Sequence, residues 1–297
     1  MRAVTDPRTG QVDIFDGLRP VLRYNYRTIE PPKDFAKQVK PASLKYAWPR
    51  SDYIHPLYGP NGEELTADWN HDHPHHRGIY WAWPEVQYKG KTGDLHALQY
   101  VFARPTGKIE LRDGDEYAEV MAENRWMWED KIPIVHETAT IRAWKTGRHG
   151  RYVDLRFVFK AMEEGVSIAR RGTKHYGGLN MRLAKISDMR LIHHVDKPDS
   201  KPRMAWQAAS GTWPGGKPAL LAVFENKNNP QYPADYIQYP ALPWFQPAFP
   251  KSGTRYTLEK NKPLVLEYRL WIHGGKAATE SEYRDQWGEC NALKKAK

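Results

Sequence analysis

The chain is predicted to be an all-β protein, an antiparallel β-sandwich with a short C-terminal helix. Three observations carry this. Apolar residues recur at every second position, as in Val153, Leu155, Phe157 and Phe159 and again in Leu264, Leu266, Tyr268, Leu270 and Ile272, the pattern of half-buried strands. Turn pairs such as Asp16-Gly17 and Asp113-Gly114 punctuate these runs at places where a hairpin can reverse direction. One stretch reads as a helix: Thr279 and Glu282 have capping-box spacing and lead into Tyr283, Arg284 and Trp287. Hairpins need no helical crossovers, so two packed antiparallel sheets follow.

At 297 residues the chain is long enough for one large β domain, read here as a single unit over 1–297. The segment from Pro230 to Pro250 is short of ladder donors because of its prolines, and is expected to be a long surface loop carrying Tyr and Trp. The 12 Trp and 17 Tyr supply core material and leave rings over for stacking on a flat ligand. Cys290 has no partner for a disulfide and reads as inert.

The formal charge of +10 favours an acidic partner. Nucleic acid is excluded because Lys and Arg form no stripe and no nucleic-acid signature occurs; the Lys294-Lys295-Ala296-Lys297 tail is a solvated end. No apolar stretch is long enough to span a membrane, and Met1 to Asp6 lacks the apolar core of a signal peptide.

The densest chemical signal is His71-Asp72-His73-Pro74-His75-His76-Arg77-Gly78, preceded by His55-Pro56 and followed by Trp81 and Trp83. If extended, it places His71, His73 and His75 on one face with His76 turned away. Imidazoles can ligate a transition metal, but the spacing matches no familiar metal motif, with no Cys pair and no His-Glu-x-x-His. The preferred reading needs neither metal nor cofactor: the histidines exchange protons and hydrogen bonds with a hydroxyl-rich ligand, and Arg77 recognises an anion. A second cluster runs Lys174-His175-Tyr176-Gly177-Gly178-Leu179-Asn180-Met181-Arg182, with glycines that permit close backbone approach. Glu137 lies on a strand face with Val135, Ala139 and Ile141 and needs a partner, as a buried ion-pair member or as a pocket acid. Asn228-Asn229 before Pro230 reads first as a turn, and His193-His194 as structural.

His55-Pro56-Leu57-Tyr58-Gly59-Pro60-Asn61-Gly62 and Asp72 to Gly78, with Tyr176-Gly177-Gly178-Leu179, Arg182, Ser210-Gly211-Thr212-Trp213 and Asn229-Pro230, resemble the bacterial family labelled PmoA-like, over about residues 45 to 250. That resemblance implies a supersandwich similar to galactose-mutarotase-like folds, in exported proteins of polysaccharide-degrading bacteria, some of which process uronate-bearing oligosaccharides by elimination. A periplasmic or secreted location follows from it, with a cytoplasmic one left open.

The expectation is therefore a lyase or dehydratase performing β-elimination on an acidic, uronic-acid-containing oligosaccharide. His75, His175, Tyr176 and Arg182 are the catalytic candidates, and His55, His73, His76 and Arg77 the substrate-binding ones. A glycoside hydrolase, which needs two carboxylates, and a non-catalytic carbohydrate-binding protein are the alternatives.

Overall fold

The computed structural model describes residues 1–195, 203–239, 242–275 and 277–292. Two eight-stranded antiparallel sheets pack face to face, with a four-stranded sheet at their side. In spatial order, the first sheet runs Arg2–Asp6, Gln11–Asp16, Arg19–Asn25, Tyr53–Leu57, Ile79–Ala82, Gly178–Arg182, Trp244–Ala248 and Asp235–Gln238. The second runs Ser187–Val195, Met204–Trp213, Lys217–Glu225, Leu264–Gly274, Arg151–Ala161, Ile132–Trp144, Tyr117–Trp128 and Val101–Arg112. The all-β sandwich expected from the sequence is the fold.

The period-two runs locate the core. Val153, Leu155, Phe157 and Phe159 pair directly with Leu270, Tyr268, Leu266 and Leu264, so two runs picked out independently lie side by side on one buried face. They pack against Ile54, Ile79, Trp81, Leu179, Met181 and Phe245 of the first sheet in one continuous apolar cluster. Trp81 and Trp83 stack at 4.5 Å inside that cluster, which makes them core rings. Asp16-Gly17 closes the hairpin between Gln11–Asp16 and Arg19–Asn25, with Gly17 at φ 62°, and Asp113-Gly114 lies between Val101–Arg112 and Tyr117–Trp128.

The C-terminal helix spans Glu280–Ala292 and starts as the sequence indicates. Thr279 and Glu282 cap each other, the Thr279 N–H reaching Glu282 Oε2 at 2.7 Å and the Glu282 N–H reaching Thr279 Oγ1 at 3.3 Å. Its Tyr283 and Cys290 cover Trp206, Ala208, Leu220, Ala222, Phe224 and Trp271, the face of the second sheet that points away from the main core. Burial pushes the Cys290 thiol up to about 12.

One expectation is corrected. Pro230 to Pro250 is not a loop throughout: it contributes Asp235–Gln238 and Trp244–Ala248 to the first sheet. The prolines are accommodated at the sheet's end. Asp235–Gln238 is the edge strand, and the ladder from Trp244–Ala248 to Gly178–Arg182 skips Pro247, where the Gln246 amide accepts the Gly177 N–H at 2.7 Å instead. Asn229 forms the expected turn, its side chain bonding both Glu267 C=O and N–H, at 2.9 and 2.8 Å. Residues 196–202, the His194 side chain and the Lys294 to Lys297 tail lie outside the described residues.

Candidate functional site

The site is built on the outer face of the first sheet. Register sets Tyr80 opposite Asn180 and Arg182 opposite Trp244. Strand alternation then turns Asn180 and Arg182 away from the core, while Leu179 and Met181 fill it. Polar side chains on a sheet face survive burial only when something polar covers them, and two loops do so here.

The first loop is His71 to Gly78. It is not extended: the His76 N–H bonds to the His73 C=O at 2.9 Å, and the turn aims His75 and His76 together. This corrects the strand-like reading that turned His76 away, and Pro74 inside the turn is the local reason. His71 instead lies exposed against Phe35 at 5.5 Å. Gly78 ends the loop at φ 64°, where a Cβ would lie 2.2 Å from the Ile54 carbonyl oxygen, so only glycine fits. The second loop, Asp94 to Gln99, is closed by backbone bonds in both directions between its ends and by Asp94 Oδ1 accepting the Ala97 N–H at 2.8 Å. Its tip carries His96.

Three imidazoles converge. His75, His76 and His96 each present a ligating atom, all lying within 4.8 Å of one another. His73 stacks on His76 at 4.8 Å, Tyr46 tilts against His75 at 5.1 Å, and Tyr176 meets His96 edge-on at 5.5 Å. The Tyr80 hydroxyl is 2.9 Å from His96 Nδ1. Burial is the first cause holding all three histidines in the neutral form, His75 down to about 3, reinforced by neighbouring imidazoles and by Arg50, Arg171 and Arg182.

Cations ring the cluster. Arg182 spends Nη2 on Asn70 Oδ1 at 3.3 Å and on Asp72 at 3.2 Å, while its buried Nε and Nη1 have no partner. Asn180 accepts the Trp244 indole N–H, and its own amide nitrogen is buried without a partner. Arg171 donates to Asp94 Oδ2 at 2.8 Å and to the Tyr176 phenol oxygen at 3.3 Å. Arg50 donates to the carbonyls of Leu95 and His96, each at 2.7 Å, and lies over the Tyr80 ring. Burial brings Arg50 down to about 10.

Of the sequence candidates, His73, His75, His76, Tyr176 and Arg182 come together. Arg77 does not face the cluster: fully buried, it pairs with Asp68, donates to the Tyr53 hydroxyl at 2.7 Å, and lies 3.4 Å from the centre of the Trp69 ring. Its guanidinium holds the base of the loop. His55 bonds Thr66 Oγ1 at 3.0 Å and is kept neutral mainly by burial. His175 is exposed, and its carbonyl, not its ring, is used, accepting Arg170 Nε at 2.5 Å.

Among the described residues Glu137 has no ion-pair partner, and it does not join the histidine cluster. It lies in the main core against Asp52, bonded by the Trp126 indole at 2.6 Å, while Asp52 accepts the Tyr24 hydroxyl at 2.7 Å. Burial, then the Asp52 charge, raises Glu137 well above the usual carboxylate range. The sequence reading missed His96, Tyr80, Arg50, Arg171 and Trp244. Leu95-His96-Ala97-Leu98 looks like any lone histidine in an apolar stretch, and nothing local distinguishes it.

All of these residues fall within a region of known sequence family, matched from residue 11 to residue 288. The chain belongs to the DUF6807 family. That family is described as one of unknown function. No curated protein matches the chain. Among solved structures it is similar to a kojibiose phosphorylase from the human microbiome, described as putative, at 10% identity and a TM-score of 0.35 over 73% of this chain. It is also similar to a polysaccharide lyase, at 10% identity and a TM-score of 0.30 over 89% of this chain. The chain spans 26% and 34% of the length of those two proteins, and the likeness is too distant to carry a residue's role across. Among the described residues no helix is long and apolar enough to cross a membrane.

Proposed function

We propose that this DUF6807 protein is a carbohydrate-active lyase or dehydratase that performs β-elimination on a uronic-acid-containing oligosaccharide at the outer face of the first sheet. The substrate class comes from the PmoA-like resemblance. The observation that supports it is the Arg182 guanidinium, buried with Nε and Nη1 unpaired on the same sheet face as the unpaired amide nitrogen of Asn180. Buried polar groups without partners cost about 1–3 kcal/mol each, and a substrate carboxylate is the ligand that satisfies a guanidinium fork. Asp72, whose side chain is 46% exposed, already sits on the third donor as a carboxylate and yields its place to the substrate.

In the elimination, the C–H bond beside the carboxylate breaks, its electrons form the new double bond, and the bond from the next carbon to oxygen breaks. Charge develops on the carboxylate as the proton leaves, and the Arg182 guanidinium stabilises that charge. Tyr176 is the proton carrier. Half-buried, with its oxygen held by Arg171, it acts as the phenolate, taking the carbon-bound proton to become the phenol and then giving that proton to the departing oxygen, which leaves as a sugar hydroxyl or as water. The exposed Tyr239, stacked on Trp244 at 5.0 Å, offers a ring to the sugar face. A hydrolase would need two free carboxylates at the cluster, and once Asp72 yields to the substrate Asp94 is still held by Arg171.

The test is incubation with uronate-terminated oligosaccharides, following ultraviolet absorbance and product mass together. Elimination gives an absorbing unsaturated uronate with loss of water or chain cleavage. Hydrolysis without absorbance, or binding without turnover, overturns this reading in favour of a glycosidase or a sugar-binding protein.

A further inference from the structure

We propose that His75, His76 and His96 form a binding site for a divalent transition-metal ion. Nothing in the elimination chemistry above requires one, and the proposal stands without it. It rests on convergence: two loops separated in sequence deliver three imidazoles whose ligating atoms lie within 4.8 Å of one another, with His76 at 5% and His96 at 3% exposure.

Structural histidines in a core normally have both ring nitrogens occupied. Here Nδ1 of His75 and Nδ1 of His76 are buried and have no hydrogen-bond partner. Two orphaned nitrogens in one small volume cost stability unless something shared satisfies them. A metal–nitrogen bond is about 2.0–2.1 Å, which puts tetrahedral ligand atoms about 3.4 Å apart. The widest pair has to close by about 1.4 Å from 4.8 Å, within reach of side-chain rotation and small loop shifts.

The surroundings fit the role. The Tyr80 hydroxyl at His96 Nδ1 fixes that ring's orientation and leaves Nε2 as its ligating atom, the kind of support that metal-binding histidines have. An all-imidazole set suits zinc, copper, nickel or iron and not magnesium or calcium. Three protein ligands leave a tetrahedral ion one position for a non-protein ligand, the arrangement of a catalytic rather than a structural site.

Charge adds a condition. Arg50, Arg171 and Arg182 face the cluster against Asp72 and Asp94, three positive charges to two negative, so a cation is held only with an anionic fourth ligand, hydroxide or a carboxylate. The histidines then serve as ligands, consistent with Tyr176 as the proton carrier.

The experiment is titration of chelator-stripped, full-length protein with Co²⁺ and then Zn²⁺ in the absence of sugar, read by calorimetry and by the cobalt ligand-field spectrum. One equivalent should bind, with the absorption of nitrogen-coordinated cobalt, and Zn²⁺ should displace it. His75→Ala, at a half-exposed position, should keep the fold and weaken binding by about 100-fold or more; Tyr80→Phe should weaken it by about 10–100-fold. Absence of saturable binding of Co²⁺, Zn²⁺, Ni²⁺ and Cu²⁺ by the unmutated protein overturns the proposal. So does affinity left unchanged in both His75→Ala and His96→Gln. Since no sugar is present, failure here leaves the elimination assay standing, and the converse holds.

Discussion

The two large sheets are each covered on the side away from their common core, and the covers differ. The second sheet is closed by the Glu280–Ala292 helix, with Tyr283 stacked on Trp206 at 4.7 Å and Cys290 packed among alanines and aromatic rings. The first sheet is closed by two loops that press histidines onto arginine, asparagine and tyrosine. The apolar cover contributes stability through dry packing. The polar cover contributes little of that kind, and it leaves donors and imidazole nitrogens unsatisfied. Unpaired groups converge on the loop-covered face, where Arg182, Asn180, His75 and His76 each bury an unsatisfied nitrogen, and that convergence makes it the candidate site. The helix side does keep a cleft of about 580 Å³, lined in part by Arg148, His149, His273 and Glu282, but among the described residues no converging set of ligating groups lies there.

The comparison can be broken from either side. Tyr283→Ala should have the largest effect on folding, about 3–5 kcal/mol in chemical denaturation, because a fully buried ring is removed from the helix cover. Ligand binding by the remaining folded protein should be unchanged, and a loss of binding would mean that the two covers are coupled. Arg182→Gln should do the reverse, lowering kcat/KM by about 10²–10³ while the denaturation midpoint changes far less.

Glu225, at the end of the strand Lys217–Glu225, sharpens the contrast because its burial is satisfied internally. Its Oε2 accepts the Ala234 N–H at 2.6 Å, and burial raises the carboxyl to about 8. A folded-state value above the unfolded one means that the stabilising protonated form is fully present below about 4.5 and lost as pH rises through about 8. Stability should therefore fall over that interval by up to about 1.4 kcal/mol per pH unit, and Glu225→Gln should flatten this slope in denaturation at several pH values. The smallest effect is expected for His175→Ala. With its ring exposed and outside the cluster, kcat/KM should change by less than about twofold, and a larger loss would draw His175 back into the mechanism.

Much of this was legible in the residues. Period-two runs marked strands that pair with each other, and Thr279 with Glu282 marked the helix start, because alternation and capping are local consequences of backbone geometry. The histidine-rich segment announced the site, and Arg182 was picked out beside its glycines. Gly178 bears out that part of the reading, since a Cβ there would lie 2.4 Å from the Pro247 carbonyl oxygen.

Three things were decided only by the tertiary structure. Arg77 and Arg182 look alike in sequence, yet Arg77 commits two of its nitrogens to Asp68 and Tyr53 and leaves Nη1 unpaired, whereas Arg182 leaves both Nε and Nη1 unpaired, because partner geometry is set by neighbouring strands. The Pro230 to Pro250 segment became strands because a sheet edge tolerates missing donors. His96, 20 residues beyond His76 in an apolar stretch, completes the cluster because the fold lays its loop over the same sheet face. The sequence alone determined the β class, the helix and the segment that supplies most of the clustered histidines, since these follow from spacing along the chain. Which side chains meet, and which are left unpaired, depends on contacts between distant segments, and those exist only in the folded molecule.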